Sequence, residues 1–295
     1  MLRVAVVANP TKSGDPYWDQ RVQGVLARAG LPDAVWIPTT AEDPGPGQAR
    51  QALADGAELV VVCGGDGTVR SVATVLAGTG VPMALLPSGT GNLLARNLGV
   101  PLEVEAAARV AADGRTVAMD VGRADDGECF LVMAGTGFDA AMLRDTSDRA
   151  KVWLSWAAYV LAGVRHLRGP LATYDLVLDG LEVTRQGRGV LVGNVSALQA
   201  GLELLPGAAV DDGLLDVAVL APRSLREWFR LARRVGIGRV PGDQVLERWT
   251  ARTVTVQAEP AQPVQYDGDL VDRDVVLRCA VEPGALLVRV PPALS

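Results

Sequence analysis

Residues 59–62, Leu-Val-Val-Val, form an apolar run that ends in Cys63-Gly64-Gly65-Asp66-Gly67-Thr68 and passes into a helical pattern from Val69. No other stretch leaves the fold less choice. A run without a polar face suits a strand covered on both sides, as in a parallel sheet flanked by helices. Parallel strands need crossover connections, and a strand–turn–helix unit begins one. The turn also bears on chemistry, because backbone N–H groups of a glycine-rich turn at a helix N-terminus attract anions. Asp66 would repel a bound phosphate unless a cation or a reacting hydroxyl stood between them. The turn therefore reads as nucleotide chemistry; a tight turn with Asp66 bonded to its own backbone is the plainer alternative.

The same pattern recurs on either side. Residues 4–8 are apolar and end in Asn9-Pro10-Thr11-Lys12-Ser13-Gly14, and residues 81–86 lead into Pro87-Ser88-Gly89-Thr90-Gly91-Asn92. Ligands of open parallel sheets bind at the carboxyl ends of the strands, so three polar turns there describe one nucleotide site. Helices are expected over 17–29, 48–55, 69–77, 93–98 and 103–113, with a short strand at 34–37 and a loop at 38–47. This alternation predicts a parallel sheet with helices on both faces. After residue 118 the pattern turns to short strands at 117–123, 129–134, 174–178, 181–184, 188–192, 215–220, 253–257, 264–266 and 275–281, which predicts an antiparallel sandwich. Asp179-Gly180 between two of them is a hairpin signal. Two helices interrupt the strands, at 149–167 and 225–235. His166, at the end of the first, reads as a helix C-terminal cation rather than a general base.

The chain has 295 residues, 49% hydrophobic and 21% charged, enough for one large or two ordinary globular domains. A net charge of −6 argues against a nucleic-acid binder. Arg223, Arg226, Arg230, Arg233, Arg234 and Arg239 nevertheless cluster, as either a solvated helix face or a membrane-facing patch. Cys63, Cys129 and Cys279 show neither zinc spacing nor a disulfide framework, which fits a reducing cytoplasm. No signal peptide is expected at the start, and no transmembrane helix, since no run reaches 18 apolar residues.

Several segments in order carry a resemblance. They are Asn9-Pro10 with Ser13-Gly14, Thr39-Thr40, Gly64 to Thr68, Pro87 to Asn92 with Ala95-Arg96, and Gly135-Thr136-Gly137-Phe138-Asp139-Ala140. Gly193-Asn194, Pro206-Gly207-Ala208, Asp211-Asp212-Gly213-Leu214-Leu215-Asp216 and Asp267-Gly268-Asp269 follow. On these the chain resembles the diacylglycerol kinase / sphingosine kinase catalytic superfamily, in its bacterial soluble lipid kinase branch. The resemblance implies an α/β plus β fold. An N-terminal open parallel-sheet nucleotide-binding domain, 1–118, is completed by a C-terminal strand within 283–295. A larger antiparallel β-sandwich, 119–282, follows, with the active site in the cleft between them. It also implies ATP and Mg²⁺ as cofactors, and transfer of the γ-phosphoryl group to a hydroxyl of a lipid such as diacylglycerol or a sphingoid base.

By the same resemblance, ATP would be held by Asn9, Pro10, Thr11, Lys12, Ser13, Thr40, Gly64, Gly65, Asp66, Gly67, Thr68, Ser71, Thr90 and Asn92. Arg96 or Lys12 could meet phosphate charge. Asp269 occupies the acidic position of the family's Asp-Gly-Glu motif, one methylene shorter, as candidate base. Asp66 is the other catalytic candidate, as base, Mg²⁺ ligand or orienter of the acceptor hydroxyl. A structural Mg²⁺ would take the Asp212 side chain and the Ala209 and Leu214 carbonyls. The partner is a lipid presented by membrane or micelle at the cytoplasmic face, with no nucleic acid. Peripheral membrane contact and a homodimer are left open, as is the placement of the 149–167 helix along an acyl cleft, on membrane or between domains. The rivals are an NAD kinase-like enzyme and a non-catalytic nucleotide- or lipid-binding protein of the same fold.

Overall fold

The structure is a computed structural model. It describes residues 2–10, 17–137, 171–196, 205–236, 245–271 and 276–292. The helix expected over 149–167, with His166, lies outside them. The chain divides into two compact units, Met1–Val121 with Gly284–Ser295, and Gly122–Pro283.

The first unit is built on strands β1 (Val4–Ala8), β2 (Val35–Pro38), β3 (Leu59–Gly64) and β4 (Met83–Pro87), parallel and ordered β2-β1-β3-β4. Leu59, Val60, Val61, Val62 and Cys63 are all fully buried. Burial of each Val or Leu side chain contributes about 1.5–3 kcal/mol, which explains why so uniformly apolar a segment lies inside the sheet. The connections carry α1 (Trp18–Arg28), α2 (Pro46–Ala54), α3 (Asp66–Leu76), α4 (Leu93–Asn97) and α5 (Val104–Asp113). Each long helix buries one stripe, as Val69, Val72, Ala73 and Leu76 of α3 do. Two helices start earlier than the hydrophobic pattern indicates. Proline at the first turn of α2 begins it at Pro46, inside the expected loop, and α3 begins at Asp66, so Asp66 belongs to the helix and not to the turn.

The second unit contains, in order, β5 (Arg115–Ala124), whose first residues lie in the first unit, β6 (Cys129–Phe130), β7 (Met133–Gly137), β8 (Ala172–Leu178), β9 (Leu181–Gly187), β10 (Gly189–Gly193) and β11 (Leu215–Leu220). Helix α6 (Leu225–Gly236) follows, then β12 (Leu246–Ala251), β13 (Thr253–Glu259), β14 (Val264–Tyr266), β15 (Asp269–Val271) and β16 (Leu277–Val290). Strands β16-β13-β8-β9 form one antiparallel layer and β12-β11-β10-β7-β14-β15 a second. Alternate residues of the two layers share one core: Tyr174, Leu176, Val254, Val256 and Leu277 from the first, and Ala134, Val190, Val192, Val217, Val219 and Val264 from the second. This is the sandwich that the strand pattern predicts. Asp179 (φ 49°) and Gly180 (φ 89°) form the expected two-residue hairpin turn, with Leu178 paired to Leu181.

Three expectations change. The strand expected at 129–134 is two strands, broken at Leu131 and Val132, whose N–H groups are captured by the Asp267 carboxylate. The strand expected at 275–281 and the C-terminal strand expected within 283–295 are the single strand β16. Pro283 and Gly284 fall inside it, where Gly284 N–H turns to the buried Asp120 carboxylate at 2.7 Å. The second half of β16 thereby joins the first unit, Val288 lying parallel to Met83. Strand β12 has no alternating apolar pattern and is held by its antiparallel pairing to β11. Among the described residues no helix is long and apolar enough to cross a membrane.

Tyr174 is fully buried on β8, and its hydroxyl has no hydrogen-bond partner among the described residues. Burial pushes the phenol above its ordinary pKa. An unpaired buried hydroxyl is costly, so Tyr174→Phe is expected to stabilise the protein by about 1 kcal/mol in a denaturant titration. A clear loss of stability would show that the hydroxyl is bonded in solution.

Candidate functional site

The parallel register brings the carboxyl ends of four strands into line. Ala8 lies opposite both Pro38 and Cys63, and Gly64 opposite Pro87. Backbone bonds continue across the turns: Asn9 N–H donates to Cys63 O (2.9 Å), Thr39 N–H to Ala8 O (2.8 Å) and Ser88 N–H to Gly64 O (3.0 Å). The Asn9 side-chain amide reaches Thr68 Oγ1 at 3.3 Å. The turns after β1, β2, β3 and β4 thus form one cluster, with a concavity lined by Gly65, Asp66, Pro87, Asn92 and Ala95.

Two of these turns interlock. A Cβ on Gly89 would stand 2.5 Å from the Gly65 Cα, closer than any real side chain allows, so the two backbones touch only because residue 89 is glycine. Asp66, first residue of α3, accepts the N–H of Leu93, first residue of α4, at 2.6 Å. A Cβ on Gly91 would crowd this carboxylate at 2.7 Å. Asn92, left-handed at φ 48°, closes its own turn: Oδ1 accepts Gly89 N–H (3.0 Å) and Nδ2 donates to Gly89 O (2.8 Å). Arg96 Nε donates to Gly91 O at 3.0 Å. Asn92 and Arg96 therefore shape the second turn from within it.

The helix N-termini differ. The carboxylate of Asp43 accepts Gly47 N–H at the start of α2 (3.0 Å), and that of Glu103 accepts Ala106 N–H at the start of α5 (2.9 Å). Helix α3 opens on Gly65, which has no side chain to serve as a cap, at the centre of the cluster. Its first-turn N–H groups and the positive end of its dipole make that end suited to an anion. Thr68 is buried in this first turn, and Ser71 lies one turn further, beside Gly45 at the end of the 39–45 loop. In that loop the Thr40 hydroxyl accepts Asp43 N–H at 3.1 Å, and Thr90 is exposed at the tip of the second turn. Burial pushes the Cys63 thiol at the base of the cluster up to about 11, which leaves it protonated and unreactive. Thr11, Lys12 and Ser13 lie outside the described residues.

Asp269 belongs to the second unit. Asp267 (φ 48°) and Gly268 (φ 91°) form a two-residue turn between β14 and β15, flanked by the pair Tyr266–Asp269. The two aspartates have different surroundings. Asp267 is buried, and its carboxylate accepts the N–H groups of Leu131 (2.8 Å), Val132 (2.8 Å) and Met133 (2.9 Å). Asp269 is exposed at the start of β15. Sequence reasoning missed the anchoring work of Asp267. The signal was present in Asp179-Gly180, where the carboxylate of the turn aspartate likewise accepts N–H groups of a neighbouring segment, Arg252 and Thr253, which hold it below the usual carboxylate range.

The acidic segment at 211–216 also lies in the second unit. Asp212 Oδ1 accepts Leu214 N–H at 3.0 Å. Asp216 is raised to about 6, first by burial and then by the Asp212 charge, against a smaller opposing effect of Arg248. Among the described residues no cluster of three or more acidic, histidine or cysteine side chains could hold a metal ion. A cation here would therefore rely on one or two carboxylates with carbonyl oxygens and water, the oxygen donor set that hard divalent ions accept. The negative charge of Asp212, which helps to raise the Asp216 carboxyl, is the feature in favour of that fit.

Comparison with known proteins follows the same division. The family model described as diacylglycerol kinase catalytic domain matches residues 3–124, and that described as YegS C-terminal NAD kinase beta sandwich-like domain matches residues 132–290. A probable lipid kinase YegS-like from Pseudomonas fluorescens is 35% identical over 246 residues, covering 82% of this chain and 80% of the relative. A diacylglycerol kinase from Mycobacterium tuberculosis is 36% identical over 230 residues, covering 74% and 72%. A crystal structure of a putative diacylglycerol kinase from Bacillus anthracis superposes with a TM-score of 0.80 at 23% identity, covering 99% of this chain and 96% of that one. An NAD kinase from Archaeoglobus fulgidus superposes less well, with a TM-score of 0.53 at 16% identity, covering 98% and 93%.

The raised carboxyl of Asp216 sets a pH dependence. Its folded pKa lies above its unfolded value of 3.8, so its contribution to stability is complete below that value and is lost as pH rises through about 6. With a chelator present, Asp216→Asn is expected to stabilise the protein at pH 7.5 by about 1 kcal/mol, after allowance for screening of this half-exposed group. The gain should vanish near pH 4. A gain independent of pH would refute the assignment.

Proposed function

The chain belongs to the diacylglycerol kinase and YegS-like lipid kinase family, and from that premise we propose that it transfers the γ-phosphoryl group of ATP to a hydroxyl of a lipid. One observation carries the reading beyond the family: the N-terminus of α3, opening on Gly65, stands where the turns after β1, β3 and β4 converge. Phosphoryl transfer requires positioning and charge stabilisation more than covalent chemistry, and this cluster is suited to both. The N–H groups at Gly65, Gly67 and Thr68 would receive the phosphates, with the Thr68 hydroxyl and the Asn9 amide as neutral donors. Asn9, Pro10, Thr11, Lys12, Ser13, Thr40, Ser71, Thr90 and Asn92 complete the proposed ATP site. Mg²⁺ supplies charge neutralisation on the phosphates when bound. Asp66, which also ties Leu93 N–H, would act there as base, Mg²⁺ ligand or orienter of the acceptor hydroxyl.

The lipid hydroxyl oxygen attacks the γ-phosphorus as the bond to the β-phosphate oxygen breaks, and ADP leaves. Asp269 would accept the hydroxyl proton as transfer proceeds. A separate structural cation would be held by Asp212 with the carbonyls of Ala209 and Leu214. The acceptor is a membrane-derived lipid alcohol, and diacylglycerol is the first to test. ATP as donor places the reaction on the cytoplasmic side.

The test is transfer of label from γ-labelled ATP into a lipid extract with Mg²⁺, read by chromatography. A labelled lipid is expected. Asp66→Asn and Asp269→Asn should each lower the rate about a hundredfold or more. Label appearing in NADP when NAD is added, with none in lipid, would move the chain to the NAD kinase reading. ATP binding without transfer to any acceptor would leave a non-catalytic binding protein.

A further inference from the structure

Helix α6 is amphipathic in an unusual order around its circumference. Its N-terminus is closed by a capping box: Ser224 Oγ accepts Glu227 N–H at 3.2 Å, and Glu227 Oε2 accepts Arg223 N–H at 2.6 Å. Trp228 and Leu231 are buried and mark the inner face of the helix. At about 100° per residue, the next sector holds Leu225 and Phe229, one turn apart and 48% and 54% exposed. The sector beyond holds Arg226, Arg230 and Arg233, all exposed, with exposed Arg223 just before the helix.

A solvated helix face explains the arginines but not a leucine and a phenylalanine side by side in water. In a chain of net charge −6 the local excess of arginine is also against the average. Glu227, the acidic residue within the helix, has its carboxylate committed to the cap. An anchored face, an exposed apolar sector and a basic flank are the properties of a helix lying in the plane of a membrane interface. We propose that α6 docks this protein on an anionic lipid bilayer. Leu225 and Phe229 enter the boundary of headgroups and acyl chains, and Arg223, Arg226, Arg230 and Arg233 meet lipid phosphates. Charge complementarity selects this partner, since each arginine near an anionic leaflet strengthens binding several-fold. The inference takes its purpose from the lipid-kinase reading but not its test.

The test is co-sedimentation of the full chain, without ATP, with vesicles of phosphatidylcholine alone or with about 30% phosphatidylglycerol, enough to give a negative surface. Binding is expected only to the anionic vesicles. Leu225→Ser/Phe229→Ser and Arg226→Glu/Arg230→Glu should each weaken it about tenfold or more, with the unfolding midpoint unchanged because all four side chains are exposed. No binding by the parent protein, or equal binding by both variants, would overturn the proposal. So would conversion of a dimer to a monomer by the apolar variant with vesicle binding intact, which would make the face a contact between copies. Vesicle binding lost in the variants, in a protein inactive on every lipid, would retire the kinase reading and support this one.

Discussion

The backbone contact between Gly65 and Gly89 sets the geometry on which the first unit's candidate site depends. It brings two strand-ending turns closer than any side chain would permit. The Asp66 bond to Leu93 N–H then ties the start of α3 to the start of α4. The bond is part-buried, so loss of the acceptor leaves the Leu93 N–H partly desolvated and without this partner. The strands below are apolar throughout and buried at their centre. In the turns above, glycine permits close approach at Gly89 and Gly91, and Asn92 supplies a left-handed residue.

The second unit uses one device twice. Asp179-Gly180 and Asp267-Gly268 are both left-handed two-residue turns whose aspartate turns back to accept N–H groups of a neighbouring segment. In the second case the acceptor work falls to Asp267, which leaves Asp269 exposed at the strand start. That division makes the first carboxylate of the motif an anchor and puts the second at the surface.

Much of this was legible in the residues. Buried parallel strands have no polar face, so 4–8, 59–62 and 83–86 identified themselves, and Asp179-Gly180 announced its hairpin. What escaped depends on partners distant in sequence. The break at Leu131 and Val132 follows from Asp267, more than 130 residues away. Strand β12 exists through its pairing with β11, not through its own pattern. Pro283-Gly284 reads as a stop, yet β16 passes through it because Asp120 takes the Gly284 N–H. The Ser224–Glu227 capping box was visible at its standard spacing and was overlooked beside the arginines. The turn cluster was legible as a site, but not that Asn92 and Arg96 are occupied in holding its shape.

If the interlocked glycine turns form the nucleotide cradle, ATP binding depends on their close approach. The most direct measurement is ATP affinity by titration calorimetry in Gly89→Ala, whose added methyl cannot fit against Gly65. A folded variant, verified by circular dichroism, that binds ATP at least about tenfold more weakly is the predicted result, equivalent to 1.4 kcal/mol or more of lost binding. A folded variant with unchanged ATP affinity would contradict it.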